Sequence, residues 1–193
     1  MIQNAVFRAS QGQDKFAYYT LGKPSYGTFL DIGCNDPFFD NNSIFFEEIG
    51  WRGYCVDSSW FDYSSRKSTF ILADATKLDY SKLDLPAVID YVSIDVDECS
   101  TRALLQFIQS GYKARVVTIE HDAYRFNDEL RIPQRLLLRQ AGYSLVFGNV
   151  CFSEHRQDGT MLLNAWEDWW ISPQENMAWE KILEVFDNKI HVS

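Results

Sequence analysis

Five places in the chain set a carboxylate at the end of an apolar, β-rich run: Asp31 before Ile-Gly33, then Asp57, Asp74, Asp95-Val-Asp97 and Glu120-His121. A single Asp after a strand commonly caps the next helix. Five of them line one edge if the runs are parallel strands, and open α/β sheets bind ligands outside the carboxyl ends of their strands. The chain has neither a complete G-x-G-x-x-G nor a glycine-rich loop with a phosphate-binding Lys. The edge therefore suits a nucleoside that carries hydroxyls and a positive charge better than a row of phosphates. An acid ending the second strand, as Asp57 does, can accept hydrogen bonds from both ribose hydroxyls.

A second group of residues has the chemistry of acid, base or metal ligand. Asp95 and Asp97 are two apart at a strand end, so both can point to one face. Either they form an acceptor-facing patch with Glu120, or Asp97 caps the following helix while Asp95 braces a loop. The patch, Asp95, Asp97 and Glu120, has the hard oxygen ligands that suit Mg or Mn, although the metal-free reading is favoured. His121 directly follows Glu120, and an imidazole titrating near 6.5 can take a hydroxyl proton at neutral pH. Asp95, Glu120 and His121 are thus the catalytic candidates, with Tyr124 and Arg125 on a loop able to close over an acceptor. Trp166, Trp169 and Trp170 serve either as core or as a platform for a sugar ring. His155 and His191 sit in polar contexts that require no function.

These side chains need a frame, and the sequence supplies one. Strands are predicted near Thr28–Gly33, Gly53–Asp57, Thr69–Ala73, Ile89–Val96 and Arg115–Glu120, with helix-compatible stretches between most of them, the pattern of a parallel sheet covered by helices. Asn42-Ser43 is the predicted cap of a helix that Gly50 closes, and Ser100 of one striped with Leu104, Leu105 and Ile108. A helix follows around Glu129–Gln140. YSLVFGNVCFSEHRQDGTMLLNAW then reads as an antiparallel pair, and AWEKILEVFDNKI as a C-terminal amphipathic helix.

Composition narrows the function classes. At 193 residues, 46% of them hydrophobic, the chain is expected to form one domain. Its parts are an N-terminal helical segment (1–27), a cofactor-binding half (28–122) and an acceptor-side half (123–193). The net charge of −9, without a basic run, argues against nucleic acid as a partner. The four cysteines form no C-x-x-C pair and read as buried free thiols. No signal peptide or 18-residue apolar stretch is evident, so the expectation is a cytoplasmic protein that does not bind membranes.

SQGQDKF, GTFLDIGCND, EEIGWRGYCVD, DYVSIDVDE, VVTIEHDAY and FGNVCF follow one another over roughly residues 10 to 152. In this order they resemble the FkbM-type class I S-adenosylmethionine-dependent methyltransferases. The resemblance implies a Rossmann-like α/β fold: seven strands, mostly parallel with an antiparallel last strand, and helices on both faces. It implies S-adenosylmethionine as cofactor, with Asp31, Gly33 and Asn35 around its amino-acid portion. Asp57 with Ser58 then takes the ribose, Asp74 and Ala75 lie at the adenine edge, and Asp95 borders the cofactor. Pro37 stands where the family usually has a small residue, and Asp57-Ser58 replaces its usual Glu-Pro. The implied reaction is O-methylation of a sugar or other small-molecule hydroxyl acceptor. The competing readings are a non-catalytic binding protein on the same fold and an NAD-dependent oxidoreductase, the latter opposed by the missing glycines.

Overall fold

The structure, a computed structural model, describes residues 6–155 and 158–175. The predicted C-terminal amphipathic helix and His191 lie outside the described residues. Seven strands are present: β1 (Thr28–Ile32), β2 (Arg52–Asp57), β3 (Thr69–Leu72), β4 (Val88–Ile94), β5 (Lys113–Glu120), β6 (Ser144–His155) and β7 (Met161–Ile171). The helices are α1 (Gln13–Thr20), α2 (Ile44–Glu48), α3 (Ser100–Gln109), α4 (Ala123–Phe126) and α5 (Asp128–Gln140).

The strands form one sheet in the order β3-β2-β1-β4-β5-β7-β6. The first five in this order run parallel to their neighbours, while β7 is antiparallel to both β5 and β6. Side chains alternate between two apolar layers, as the pleat requires. Phe29, Tyr91 and Val116 pack with Phe16 of α1 and with Phe45 and Phe46 of α2. Leu30, Val92 and Val117 pack on the opposite face with Leu104 and Phe107 of α3 and Leu138 of α5. Helices thus cover both faces, and the strands, buried on both sides, read as continuous apolar runs. No helix among the described residues is long and apolar enough to cross a membrane.

Several local expectations are corrected. Ser43 holds the N-cap position of α2 as expected, but its side chain makes no cap bond; Asn41 Oδ1 instead accepts the N–H groups of Ser43 and Ile44 at 3.0 and 2.9 Å. Asn42 instead reaches across to Ser93 Oγ at 2.9 Å. Ser100 is the first residue of α3, and its hydroxyl accepts from Val96 N. The buried stripe of α3 runs through Ala103, Leu104 and Phe107, leaving Leu105 exposed. Trp169 and Trp170 are completely buried, one in each apolar layer, which assigns them to the core.

Candidate active site

The order of the sheet decides where the carboxyl edge opens. The chain leaves β1 toward β2 on one side and returns at β4 on the other, so the loops after β1 and β4 diverge, the arrangement that makes a crevice in open α/β sheets. Gly33 N donates to Val56 O and Asp95 N to Ile32 O, both at 2.8 Å, so the three strand ends stay laced together. Gly33 has φ of 85°, and a Cβ there would lie 1.7 Å from the Asp95 carbonyl oxygen. The glycine is required by that close approach as well as by its left-handed backbone.

A cavity of about 730 Å³ lies at this edge. Asp31, Gly33 and Asn35 from the loop after β1, Asp57 and Ser58 after β2, Asp74 and Ala75 after β3, and Asp95 after β4 all line it. The eight residues singled out for a cofactor are therefore brought together. Asp31 is 1% exposed, neither of its oxygens has a hydrogen-bond partner, and burial pushes its carboxyl up to about 6. Asp57 joins two loops, accepting from Asn35 N at 3.0 Å and Ser59 N at 2.8 Å. Asp74 serves its own turn, paired with Lys77 at 2.7 Å and accepting from Thr76 N and Oγ1, which hold its carboxyl far below the usual range.

A second cavity of about 490 Å³ is lined by Glu120, Asp122, Tyr124, Arg125 and Phe152. Ser10, Asp40, Asp97 and Trp166 line both cavities, so the two adjoin. Glu120 Oε1 accepts from Trp166 Nε1 at 2.7 Å, and Oε2 from Asp97 N at 2.9 Å. Its carboxyl lies beside that of Asp95, and burial with like-charge crowding raises both groups. Two buried carboxyls in contact retain one proton between them. Asp95 at the first cavity is in this way linked to Glu120 at the second.

The anticipated metal trio is not the set that converges. Oxygens of Asp97, Glu120 and Asp122 lie within 4.8 Å of one another, with Asp122 in place of Asp95. Arg125 Nη1 bridges Asp97 Oδ1 at 2.6 Å and Asp122 Oδ2 at 2.8 Å, so a guanidinium already supplies positive charge there. His121 lines neither cavity. It is fully buried, with Nδ1 accepting from Ala123 N at 3.1 Å and Nε2 facing Asp168 Oδ1 at 3.3 Å. Its ring braces β5 against β7, and Asp168 is further clamped by Arg135 through bonds of 2.7 and 2.8 Å. Of the three tryptophans only Trp166 reaches the cavities.

Residues outside the strand-end motifs also shape the site. Arg66 is buried, pairs with Glu47 at 3.0 Å, and donates to Pro37 O, Asn41 Oδ1 and Ser43 Oγ, fixing the loop that follows β1. Pro37 therefore contributes a carbonyl to the scaffold. Asn41 was discoverable as one of several Asn and Asp residues ahead of a helix; nothing local to Arg66 or Asp122 marks either.

No family model matches this sequence, and no curated protein sequence matches it. Among solved structures, one similar fold is Burkholderia thailandensis 1,6-didemethyltoxoflavin-N1-methyltransferase with bound 1,6-didemethyltoxoflavin and S-adenosylhomocysteine, at TM-score 0.54 and 16% identity over 84% of this chain and 77% of that one. Another is precorrin-6y C5,15-methyltransferase from Geobacter metallireducens, at TM-score 0.55 and 14% identity over 88% and 93%. The chain has the class I methyltransferase fold. A precorrin 8w decarboxylase from Methanobacterium thermoautotrophicum is also similar, at TM-score 0.50 and 14% identity over 89% and 96%. A shared fold accommodates different chemistries, so activity resides in the residues of the site rather than in the sheet.

Proposed function

We propose that the chain is an S-adenosylmethionine-dependent methyltransferase that acts on a hydroxyl of a sugar or another small molecule. The observation that carries this reading is Asp31, a buried carboxylate with both oxygens unpartnered beside the cavity at the strand switch point. An orphaned buried anion is costly unless a ligand supplies donors or positive charge, and the cofactor's ammonium and sulfonium carry both. The residues lining this cavity include Asp31, Asp57 and Asp95 but no Lys, Arg or His. That lining favours a cationic nucleoside over the pyrophosphate of NAD.

Asp31 would hold the amino-acid portion, and Asp57, already fixed by Asn35 and Ser59, would accept the ribose hydroxyls. Once bound, the cofactor would supply an electrophilic methyl for the acceptor oxygen, with a neutral thioether as the leaving group. The chain's own task is to align the acceptor and to take its proton. Asp95 is placed for that step, since it borders the first cavity and its burial beside Glu120 raises its carboxyl to about 7, near the basicity required at neutral pH. Trp166 and Asp97 orient Glu120 through their N–H groups.

Titration calorimetry tests the reading. S-adenosylmethionine should bind and NAD should not, and Asp31→Asn should weaken the cofactor by about 1.5–3 kcal/mol, the range for hydrogen bonds to charged groups. A folded wild-type chain that gives no heat with S-adenosylmethionine rejects it.

A further inference from the structure

We propose that the second cavity selects an acceptor bearing a protonated amine, so that the substrate is a hydroxyl-containing organic amine. This rests on the methyltransferase reading for the role of the site, though its own binding test is separate. Asp97, Glu120 and Asp122 converge there, and Asp122 is 1% exposed with an Oδ1 that receives no N–H group, its carboxyl otherwise neighbouring the like-charged Glu120 and the Arg125 guanidinium. A buried carboxylate oxygen lacking a donor, in the wall of a cavity, calls for a charged N–H group from a ligand.

The chain supplies its own model of such a ligand. Arg125, 45% exposed at its side chain, inserts one nitrogen between Asp97 and Asp122 at 2.6 and 2.8 Å. It satisfies Asp122 Oδ2 and leaves Oδ1 unmet. An ammonium, with three donors on one small centre, can reach both carboxylates and displace that exposed guanidinium toward solvent. The same cavity has an aromatic lining: the Phe152 ring stands edge-on to Tyr124 at 5.3 Å and to Trp166 at 5.9 Å. Carboxylates and aromatic rings lining one cavity favour an organic cation over either a neutral polyol or an anion. With the amine held by Asp97 and Asp122, a hydroxyl elsewhere on the same molecule can reach the Asp95–Glu120 pair at the junction of the cavities.

The matched probes are glucosamine, glucose and glucose 6-phosphate, titrated by NMR at a pH where the amine is protonated, with and without S-adenosylhomocysteine. Glucosamine should bind roughly tenfold or more tightly than glucose, the scale of one charged hydrogen bond, with the phosphate weakest. Asp122→Asn should erase that preference. Asp97→Asn, at an exposed position, should reduce it without threatening the fold, and Arg125→Gln should strengthen amine binding by removing the internal competitor. Equal binding of the two sugars, preference for the phosphate, or a preference that survives both Asp variants overturns the proposal. So does Mn²⁺ binding at these carboxylates that glucosamine fails to displace. Failure of S-adenosylhomocysteine to bind would count against the methyltransferase reading alone, because the amine preference is measured without it as well.

Discussion

Asp31 and Asp74 illustrate how the same residue type at the same kind of position serves opposite ends. Asp74 is satisfied by Thr76 and Lys77 within its own turn, whereas the oxygens of Asp31 accept no hydrogen bond and burial pushes its carboxyl up to about 6. A cation bound by Asp31 requires its ionised form. Cofactor affinity should therefore be level above about pH 7 and fall by up to tenfold per unit below about pH 6, a dependence that calorimetry across pH should find absent in Asp31→Asn. The sequence offered His121 as the base on account of its imidazole and its place after β5. The structure turns that ring into the core against Asp168. His121→Ala is expected to lower stability by about 1–3 kcal/mol, because it strips a partner from buried polar groups, while S-adenosylmethionine affinity stays unchanged. A loss of affinity without a loss of stability would contradict this placement.

Among the elements, the loop after β1 does most to shape the site, and it is held from a distance. Arg66 pairs with Glu47 of α2 and donates to the Pro37 carbonyl, so a residue between β2 and β3 sets the path of a segment 29 positions earlier. Arg66→Leu leaves Glu47 buried without its cation and should cost about 3–5 kcal/mol in denaturant unfolding, and adding Glu47→Leu should restore part of it. If the double variant is no more stable than the single, the ion pair is not what anchors the loop. Strand positions were readable because apolar β-branched runs bounded by turn residues have few alternatives. Ser43 holds the α2 N-cap position, yet the capping bonds come from Asn41, because Asn41, Asn42 and Ser43 are all competent acceptors and only the packing of α2 selects among them.

For the molecule as a whole, buried carboxyls set the response to pH. Asp14 and Asp31 are each pushed up to about 6 and Glu167 to about 8 by burial, so between about pH 4 and 8 the folded chain keeps protons that the unfolded chain has released. Their contribution is complete below about pH 4 and is lost as pH rises through those values. Asp168 acts in the opposite sense: Arg135 and His121 outweigh its burial and hold it at about 2, a contribution lost as pH falls from about 4 to 2. Thermal stability should therefore peak near pH 4 and decline toward pH 8, and a melting temperature highest at pH 8 would refute this balance. The sequence by itself determined the parallel sheet, the antiparallel closing pair and the edge on which the acids gather, because strand periodicity and turn chemistry are local. Asp31, Asp57, Asp74 and Asp95 came to line one cavity, with Glu120 in the adjoining one, only through the strand order 3-2-1-4-5, which residue spacing does not encode. Tertiary structure alone decided which acid lacks a partner, that Asp122 joins the cluster and His121 does not, and that Trp166 leaves the core that keeps Trp169 and Trp170. Each of these depends on contacts between residues far apart in the chain, where burial and pairing are properties of the neighbours rather than of the residue.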